Sequence, residues 1–570
     1  MTFFVTRKSG LPRAESDQLQ KSFIDILYDH RKFLDDHGGF LGPESLARLC
    51  GDKKIAIIGA GPAGLASAWL LMKMGLKPDI YEAEEARVGG RIWTHHCTDA
   101  PHALFEMGAM RVPPSEQVFK YFADLYRMPS GPFPDPGIVD TRLQYQGKTY
   151  DWDEGGDVPA IFQGVKEDWE ALVTEKMEPI ANCLKDGDFD QAQTQWQALL
   201  TGKDTGWSNL SFYGALKQQF PHWTAREFDL FGTLGIGSGG FGPLYAVNFA
   251  EIARLVINGL EDSQEFYPEG MDKLVDGLYS TQTPIHGTTP HSLETWSQIR
   301  FNQPVKSVTS KSDGGVEVKS IDPCGHTCTE DYDAVIVATT TRSMEIDLRL
   351  TNPVETSPLN NDEITAVQNL HLMNSSKLFL RTRTKFWTTK EWKASNLPEN
   401  IQTDGLCRGV YCLDYPGTDS GVVLLSYTWG DDSTKLIALD VEKRKEILLN
   451  SLESACPEFV EKLREEICDS KNVDWQLEPN YFGAFKLNQP GQDLENQHLY
   501  SQFLSVKNPT TDKGVYLAGD SVSWSGGWIE GALQTAMNAS AAVIARLAGE
   551  QALHPNNPLE QTSDLFDYGT

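Results

Sequence analysis

Residues 53–91 read KKIAIIGAGPAGLASAWLLMKMGLKPDIYEAEEARVGGR, and this stretch decides the fold. The short apolar run Ile55–Ile58 enters the glycine turn GAGPAG at residues 59–64, and an apolar stretch of helical length follows. A second short run then ends at Glu82, which lies 23 residues after Gly59. The order of strand, glycine turn, helix, strand and acid predicts a unit that binds a dinucleotide.

Each glycine of this turn has its own physical task. Gly59 permits the tight turn, Gly61 lets the backbone approach a pyrophosphate, and Gly64 lets the helix pack close to the sheet. The free N–H groups at the start of the helix favour phosphate, and Glu82 can accept hydrogen bonds from a ribose. An accidental glycine turn is the alternative, and the strand, helix and acid in their places speak against it.

A second glycine pair, Gly89-Gly90 followed by Arg91, comes soon after Glu82. Further motifs follow in chain order: Gly108-Ala109-Met110-Arg111, Tyr267-Pro268-Glu269-Gly270-Met271, Ser375-Ser376-Lys377, Gly519-Asp520 and Gly526-Gly527-Trp528. Together these motifs span most of the chain and resemble the flavin amine oxidase family. Within it, the chain is similar to the L-amino acid oxidases and amino acid 2-monooxygenases. The tryptophan 2-monooxygenase group shares an opening like IDILYD at residues 24–29 and an ending like GGWIEGA at residues 526–532.

The motif positions and the resemblance predict an α/β fold. We expect a Rossmann-like FAD-binding domain assembled from discontinuous segments, a mixed-sheet substrate-binding domain and a helical insertion. The predicted bounds are 52–112, 268–345 and 478–550 for the FAD-binding domain, 113–150, 246–267 and 346–477 for the substrate-binding domain, and 151–245 for the helical domain. The polar tail at residues 551–570, which contains two prolines, is expected to be poorly ordered.

The resemblance implies FAD as the cofactor, with the second glycine pair along its phosphates and ribityl chain. Asp520 would contact the diphosphate and ribityl region, and the helix after Trp528 would point at the pyrimidine edge, where its dipole stabilises negative charge. No cysteine follows Cys468, so we expect FAD to be bound non-covalently. The predicted cofactor-binding residues are Gly59, Gly61, Ala63, Gly64, Glu82, Ala83, Gly89, Gly90, Arg91, Gly108, Ala109, Met110, Arg111, Val305, Gly519, Asp520, Gly527 and Trp528.

Arg111 is the predicted anchor of the substrate. A guanidinium can grip an α-carboxylate through two parallel hydrogen bonds, and the resemblance to L-amino acid oxidases implies this role. Amine oxidases that act on simple amines generally lack this arginine, so its presence indicates a substrate that carries a carboxylate. A structural arginine paired with a nearby acid is the alternative.

The resemblance places further residues around the substrate. Tyr411 would be the second carboxylate contact, with Tyr415 as a competitor and a core tyrosine as the alternative. Phe485 would form an aromatic wall opposite the flavin, although ordinary core packing explains it nearly as well. The carbonyl of Gly527 would face the substrate amine, and Trp528 would line the pocket.

Lys377 enters the apolar run Leu378-Phe379-Leu380, where an ammonium group is costly to bury unless it finds partners. The resemblance implies a lysine that holds a water against flavin N5 and aids proton movement or the reaction with oxygen. A surface lysine with an extended side chain is the alternative. We therefore predict Lys377 and Arg111 as the catalytic residues.

The main functional prediction is FAD-dependent oxidative deamination of an L-amino acid by O2, giving a 2-oxo acid, ammonia and hydrogen peroxide. The alternative is a 2-monooxygenase of the tryptophan or lysine type, which yields an amide and carbon dioxide. A polyamine or monoamine oxidase and a non-catalytic flavin-bound scaffold also stay open. Arg111 and Lys377 speak against the scaffold, because neither is needed merely to hold FAD.

The substrate side chain is the least determined feature. The net negative charge of the chain favours a basic substrate, arginine or lysine, whereas the similarity to tryptophan 2-monooxygenases favours an aromatic one. A buried basic side chain needs a carboxylate partner. The candidate partners are Asp229, Glu251, Asp493 and Glu495, and a structural role would also explain each of them.

Composition limits the classes of partner. The 570 residues carry a net charge of −29, which argues against nucleic acid and anionic membranes. No stretch approaches the roughly 20 apolar residues of a membrane span, and residues 1–20 lack the apolar core of a secretory signal. Nine cysteines are too few for a disulfide scaffold, so we expect a cytoplasmic protein. Cys324, His326 and Cys328 lie close together in the sequence but lack a second pair of ligands, so we expect no metal site. The expected partners are small molecules, an L-amino acid and O2, and homo-oligomerisation stays open.

Overall fold

A computed structural model describes residues 23–203, 205–234, 240–261, 263–352, 357–562 and 568. The polar N-terminus at residues 1–20, the glycine-rich residues 235–239 and most of the end of the tail, residues 563–567 and 569–570, lie outside the described residues. The expectations on a secretory signal and on the order of that part of the tail therefore stay predictions.

The strands, in chain order, are β1 (Ile55–Ile58), β2 (Asp79–Tyr81), β3 (Thr94–Cys97), β4 (Ala100–Glu106), β5 (Gly131–Pro132), β6 (Thr141–Tyr145), β7 (Lys148–Trp152), β8 (Glu265–Phe266), β9 (Thr283–Ile285), β10 (Thr288–His291), β11 (Gln298–Arg300), β12 (Val305–Ser310), β13 (Val316–Ile321), β14 (Thr327–Tyr332), β15 (Ala334–Val337), β16 (Leu372–Met373), β17 (Ser375–Thr382), β18 (Asn400–Thr403), β19 (Gly409–Leu413), β20 (Gly421–Trp429), β21 (Ile467–Asp474), β22 (Phe485–Lys486) and β23 (Val515–Leu517).

The helices, in chain order, are α1 (His30–His37), α2 (Pro62–Lys73), α3 (Gln117–Leu125), α4 (Ala160–Leu172), α5 (Glu178–Asp186), α6 (Phe189–Thr201), α7 (Phe212–Gln219), α8 (Ala225–Thr233), α9 (Phe249–Ile257), α10 (Asp272–Ser280), α11 (Leu293–Trp296), α12 (Thr341–Ile346), α13 (Asn361–Asn369), α14 (Lys390–Ala394), α15 (Asp431–Thr434), α16 (Val441–Leu452), α17 (Pro457–Glu466), α18 (Asp493–Tyr500) and α19 (Ile529–Ala548).

A five-stranded parallel sheet in the order β11-β2-β1-β15-β23 forms the centre of the first domain. All residues of β1 and β15 are buried, as expected for continuous apolar strands that are covered on both faces. The strands come from three distant parts of the chain, around residues 55–81, 298–337 and 515–517. The predicted α/β class, with a Rossmann-like domain built from discontinuous segments, is confirmed.

Helices α2 and α19 pack against each other on one face of this sheet. Their surfaces consist largely of Ala, Leu and Gly, and nearly every residue of α2 is buried. Gly64 makes the close packing possible, because a Cβ atom there would collide with the carbonyl oxygen of Gly59. The opposite face of the sheet packs on the antiparallel strands β12, β13 and β14.

A second, seven-stranded sheet in the order β21-β17-β20-β19-β18-β6-β7 is mixed, because β18 and β6 pair in parallel and the other pairs are antiparallel. In the register of β17 with β20, Lys377 lies opposite Tyr427. Strand β7 ends at Trp152, two residues beyond the predicted limit of this domain at residue 150. The sheet therefore carries Lys377 on β17, between the edge strand β21 and β20.

Helices α4 to α8 share one core rich in Trp and Phe. Helix α9 (Phe249–Ile257) and the N-terminal residues Phe23, Ile24 and Ile26 pack into the same core. The sequence assigned residues 246–267 to the substrate-binding domain and left residues before 52 unassigned. The difference arises because α9 is buried on all sides between the helical core and the rest of the protein, which residue spacing does not reveal.

Among the described residues, no helix combines the length and the apolar character needed to cross a membrane. Asp322, Cys324 and His326 lie close together in the exposed turn between β13 and β14. The Asp322 carboxylate accepts hydrogen bonds from the backbone N–H groups of Cys324 (2.9 Å) and His326 (2.8 Å). Turn formation accounts for this cluster.

Candidate active site

A large cavity at the carboxyl end of β1 brings together residues from the parallel sheet, the seven-stranded sheet and the helical insertion. Both predicted catalytic residues, Lys377 and Arg111, line it. Three more predicted substrate contacts do so as well: Phe485, Gly527 and Trp528. The other predicted cofactor-binding residues that line it are Gly59, Gly61, Ala63, Glu82, Ala83, Gly90, Arg91, Gly108, Ala109, Met110, Val305, Gly519 and Asp520.

Gly59 and Gly61 leave an open cradle at the start of α2. Gly59 has φ +99°, and a Cβ atom there would lie 2.6 Å from the carbonyl oxygen of Ala338. Gly61 faces the second glycine loop, where a Cβ on Gly90 would lie 3.2 Å from the Gly61 Cα. Side chains at these positions would narrow the cradle, so glycine there leaves the N–H groups at the start of α2 open to a phosphate group.

Glu82 follows β2 directly and is buried in the cavity wall. Its carboxylate accepts hydrogen bonds from the backbone N–H groups of Ala60 (2.7 Å) and Glu84 (2.9 Å). Burial raises the pKa of Glu82, while these two hydrogen bonds lower it. The acid is thus held beside the glycine turn, where the hydroxyls of a ribose would meet it.

Arg91 and Asp520 join the second glycine loop to the start of α19. The Arg91 guanidinium donates to the carbonyl oxygen of Ala484 (2.6 Å) and pairs with the Asp520 carboxylate. Asp520 also accepts from the backbone N–H of Gly527 (3.3 Å). Gly89, which does not line the cavity, supports this loop with φ +106°. The arrangement fits the diphosphate and ribityl region that the sequence assigned to these residues.

Two buried glutamates connect the start of α19 with the start of α3. The Glu530 carboxylate accepts from the backbone N–H groups of Val118 (3.0 Å) and Phe119 (2.9 Å), and the Glu116 carboxylate accepts from the Glu530 N–H (3.0 Å). Burial raises the pKa of Glu530 to about 7 and raises that of Glu116 as well. Glu116 also lines the cavity, and the sequence analysis missed it because the contact spans more than 400 residues.

Lys377 is buried, and its ammonium nitrogen donates to the carbonyl oxygens of Glu106 (3.0 Å) and Gly108 (2.6 Å). The same nitrogen lies 4.8 Å from the centre of the Tyr427 ring. Burial lowers the pKa of Lys377 to about 7, although the Glu106 carboxylate raises it, and Arg111 lowers it further. Near neutral pH this side chain can therefore hold or release a proton.

Glu106 is a buried acid next to Lys377 that the sequence analysis did not identify. Its carboxylate accepts from the backbone N–H of Met271 (2.8 Å) and from the hydroxyl of Thr94 (2.8 Å). Burial raises the pKa of Glu106 to about 7, while these hydrogen bonds and Lys377 lower it. Two groups that change charge near pH 7 thus lie together, Lys377 in the cavity lining and Glu106 behind it.

Arg111 lies between two acids. Its Nη1 atom is 3.6 Å from Asp135 Oδ1, and its Nη2 atom is 3.8 Å from Glu261 Oε2. Burial alone would lower the pKa of Arg111, but Glu261 and Asp135 raise it overall, so the guanidinium is charged. No local motif marked Asp135 or Glu261, because their relevance follows only from their distance to Arg111.

The predicted second carboxylate contact, Tyr411, is buried behind the cavity and does not line it. Its ring lies 5.5 Å from that of Phe133, and its competitor Tyr415 packs on Phe266 at 5.8 Å. Tyr427 instead lines the cavity beside Lys377, and both Tyr411 and Tyr427 act to raise the pKa of Arg111. Alternation along β20 puts Tyr427 on the face of Trp429, which is the signal that could have indicated it.

Aromatic side chains form one wall of the cavity. Tyr427 and Trp429 make an edge contact with ring centres 5.7 Å apart, and Trp429 and Phe485 make another at 5.0 Å. Leu487 and Trp528 add further apolar surface to the lining. Such a wall suits a flat apolar side chain.

The four carboxylates proposed for a basic substrate do not line this cavity. Asp229 is exposed, and Glu495 binds the side chain of Asn369. Glu251 and Asp493 belong to a fully buried ion cluster, in which Glu251 pairs with Arg254 (2.6 Å) and Lys486 (3.0 Å). Both acids thus pair with internal cations, and none of the four carboxylates is positioned in the cavity to bind a basic side chain.

Comparison with known proteins agrees with this geometry. The sequence model of the family described as flavin containing amine oxidoreductase matches residues 62–544. The tryptophan 2-monooxygenase of Pseudomonas savastanoi is 37% identical over 97% of this chain and 100% of its own length. The enzyme of that name from Pantoea agglomerans pv. gypsophilae is 39% identical over 96% of this chain and 98% of its own length.

Solved structures show the same fold. Putrescine oxidase bound to putrescine superposes with a TM-score of 0.64 at 20% identity, covering 86% of this chain and 99% of that one. Cyclohexylamine oxidase from Brevibacterium oxydans IH-35A gives a TM-score of 0.61 at 15% identity, covering 86% and 98%. The family match, the relatives and the cavity built around the glycine turn lead to one conclusion: this chain is an enzyme of the flavin-containing amine oxidoreductase family.

Proposed function

We propose that this chain is an FAD-dependent amino acid 2-monooxygenase that acts on an aromatic L-amino acid of the tryptophan type. The reaction takes the amino acid and O2 to the amide with one fewer carbon, carbon dioxide and water. The observation that carries the proposal is the position of Arg111, a buried cation near the aromatic side chain of Tyr427. The name shared by the relatives at 37% and 39% identity supports it.

The 2-monooxygenase, which the sequence analysis gave as the alternative, thus replaces the oxidase as the main functional proposal. The relatives are named as monooxygenases, and the carboxylates expected to bind a basic side chain lie elsewhere. Release of peroxide and a 2-oxo acid becomes the competing outcome. The solved relatives named for putrescine and cyclohexylamine support the fold only, and Arg111 distinguishes this chain from an enzyme for simple amines.

The residues present fit FAD. Gly59, Gly61 and Gly90 would admit its diphosphate, Glu82 would hold the adenosine ribose, and the Arg91–Asp520 pair would secure the loop beside them. When bound, FAD would supply the acceptor for the hydride of the amino acid Cα and the donor of electrons to O2. All nine cysteines lie in the described ranges and none lines the cavity, which supports non-covalent binding.

The protein's own contribution is to position and enclose the substrate. Arg111 would bind the carboxylate, and a bidentate contact would fix the orientation of Cα. Phe485 and Trp429 would pack on the aromatic side chain and exclude water. Lys377, with a pKa lowered to about 7, would hold and move a proton near the reacting carbon. Enclosure also keeps the oxidised product in the site until oxygen has reacted.

We further propose a cytoplasmic enzyme whose partners are the amino acid and O2. The free state of all nine cysteines supports a reducing compartment. The strong negative charge of −29 supports small-molecule partners rather than nucleic acid.

A substrate panel tests the proposal. Flavin bleaching is followed without oxygen after mixing the holoenzyme with L-tryptophan, L-phenylalanine, L-lysine, L-arginine or tryptamine. We expect the aromatic amino acids to reduce the flavin at least about 100-fold more efficiently than lysine or arginine, because an unpaired cation in this wall is costly. Tryptamine, which lacks the carboxylate, should react slowly. Fastest bleaching by lysine, arginine or tryptamine would contradict the proposed substrate class.

A further inference from the structure

Arg111 lies between two largely buried carboxylates. Asp135 and Glu261 approach the guanidinium from two sides, at 3.6 and 3.8 Å. The three side chains are only 8%, 9% and 13% exposed for Arg111, Asp135 and Glu261. With both acids ionised, the group has a net charge of −1 before any substrate enters.

A substrate carboxylate bound at Arg111 would bring a third anion into this buried group. The guanidinium has five N–H donors, so geometry allows it to serve several carboxylates. The charge, however, would fall to −2 in a site that excludes water, where unbalanced charge costs several kcal/mol. Protonation of Asp135 or Glu261 restores the charge of the group at the lowest cost in free energy.

Asp135 is suited to take up this proton, and Glu261 also lies beside the guanidinium. Burial raises the pKa of Asp135 to about 7 although Arg111 lowers it, and Glu261 raises it further. A substrate carboxylate on Arg111 would weaken the effect of Arg111 on Asp135 and raise the pKa of Asp135 again. Glu261 lines the cavity and therefore faces the incoming ligand.

The other titratable groups around Arg111 are two tyrosines and Lys377. Tyr411 and Tyr427 face it, and burial raises the pKa of Tyr427, so that hydroxyl is already protonated at neutral pH. Lys377, whose pKa burial lowers to about 7, is also influenced by Arg111, and its nitrogen is held at the carbonyls of Glu106 and Gly108. Asp135 and Glu261 are the titratable groups that approach the guanidinium directly, at 3.6 and 3.8 Å.

We propose that Asp135 and Glu261 act as a proton-accepting pair that takes up one proton when a substrate carboxylate binds at Arg111. The inference rests on the proposed role of Arg111 and adds a coupling between substrate binding and protonation. The proton forms an O–H bond on one carboxylate. For a ligand without an amino group it comes from solvent, whereas an amino acid can supply it by breaking an ammonium N–H bond. The amine would then be neutral, which hydride transfer from Cα requires.

The test measures protons taken up during binding. The oxidised holoenzyme is titrated with 3-(indol-3-yl)propionate, which has the carboxylate but no amine, and separately with its neutral amide. Calorimetry at pH 8 in two buffers of different protonation enthalpy gives the proton count, and flavin absorbance gives binding independently. We expect uptake approaching one proton per site for the propionate and close to none for the amide.

Variants identify the acceptor. Glu261→Gln and Asp135→Asn should each reduce the uptake by about half or more, and the affinity for the propionate should become less dependent on pH. Because Asp135 is the more deeply buried of the two acids, its substitution is the more disruptive to folding. If Asp135→Asn folds poorly, Glu261→Gln alone tests the proposal. Glu495→Gln, a carboxylate outside the cavity, is the control and should retain full uptake.

The outcomes separate the two levels of the proposal. Binding of the propionate without proton uptake, or unchanged uptake in both variants, would overturn the proton-accepting pair and leave Arg111 as the anchor. If the amide binds and the propionate does not perturb the flavin, the role of Arg111 fails, and the coupling fails with it.

Discussion

The ring of Phe485 lies against Gly527, in the position where a side chain on residue 527 would point. A Cβ atom on Gly527 would be 3.3 to 3.4 Å from three atoms of Phe485, and the backbone at Gly527 has φ +83°. Phe485 belongs to β22, and Gly527 precedes α19. Because residue 527 has no side chain, Phe485 of the aromatic wall can pack against the backbone just before α19.

Gly527→Ala should damage the aromatic wall. The left-handed backbone costs an L side chain about 1 kcal/mol, and the methyl group would push Phe485 out of place. We expect kcat/KM for the aromatic substrate to fall at least about tenfold, with most of the change in KM. Gly325→Ala is the matched control, because Gly325 has φ +85° and open space around it, and it should retain wild-type kcat/KM. Equal kinetics for the two variants would count against this role of the wall.

Lys377→Met should remove a proton-holding group from the site. Burial lowers the pKa of Lys377 to about 7, so its ammonium form gives way to the amine as pH rises through 7. We expect flavin reduction to slow by roughly 100-fold or more and its pH profile to lose or shift the inflection near pH 7. Glu106 titrates in the same range, so the inflection belongs to the pair. An unchanged pH profile in the variant would refute the assignment, and Lys393→Met, on the surface, is the control.

Arg111→Lys should separate carboxylate recognition from general damage. An ammonium group cannot reproduce a bidentate contact, so we expect kcat/KM for L-tryptophan to fall by roughly 100-fold. The rate with tryptamine should change little, because that ligand has no carboxylate. Arg408→Lys is the control, because Arg408 pairs with Asp432 outside the cavity. A similar loss with both ligands would show that Arg111 supports the structure rather than the carboxylate.

Glu530→Gln should change how stability depends on pH. Burial raises the pKa of Glu530 from 4.5 to about 7, so between these values the folded protein holds a proton that the unfolded chain has lost. The contribution of this carboxyl is therefore complete below pH 4.5 and declines as pH rises to 7, by at most about 1.4 kcal/mol per pH unit. Tm measurements at pH 5 and pH 8 should show a larger advantage of wild type over the variant at pH 5. A constant Tm difference would contradict the raised pKa.

Sequence reasoning predicted the glycine turn from its spacing, and it named Arg91, Arg111 and Lys377 from motifs that resemble those of the flavin amine oxidase family. Tyr427, Asp135 and Glu261 could not be identified in this way. Their relation to Arg111 or Lys377 depends on the register of β17 with β20 and on the approach of distant loops. These relationships exist only in three dimensions.

The expectation of a basic substrate had a similar cause. Glu251 and Asp493 appeared available as carboxylates, and the sequence did not show that Arg254 and Lys486 would be buried beside them. A free carboxylate and an internally neutralised one look alike in a sequence. Only the contacts in the folded protein show which cation each acid pairs with.

The fate of the substrate carboxyl carbon tests the central claim most directly. The holoenzyme is supplied with O2, catalase and L-tryptophan labelled at its carboxyl carbon, and labelled carbon dioxide, the amide and the 2-oxo acid are quantified. The account predicts equal amounts of carbon dioxide and amide, with little 2-oxo acid. Accumulation of 2-oxo acid with the label retained, and no amide, would contradict it and restore the oxidase.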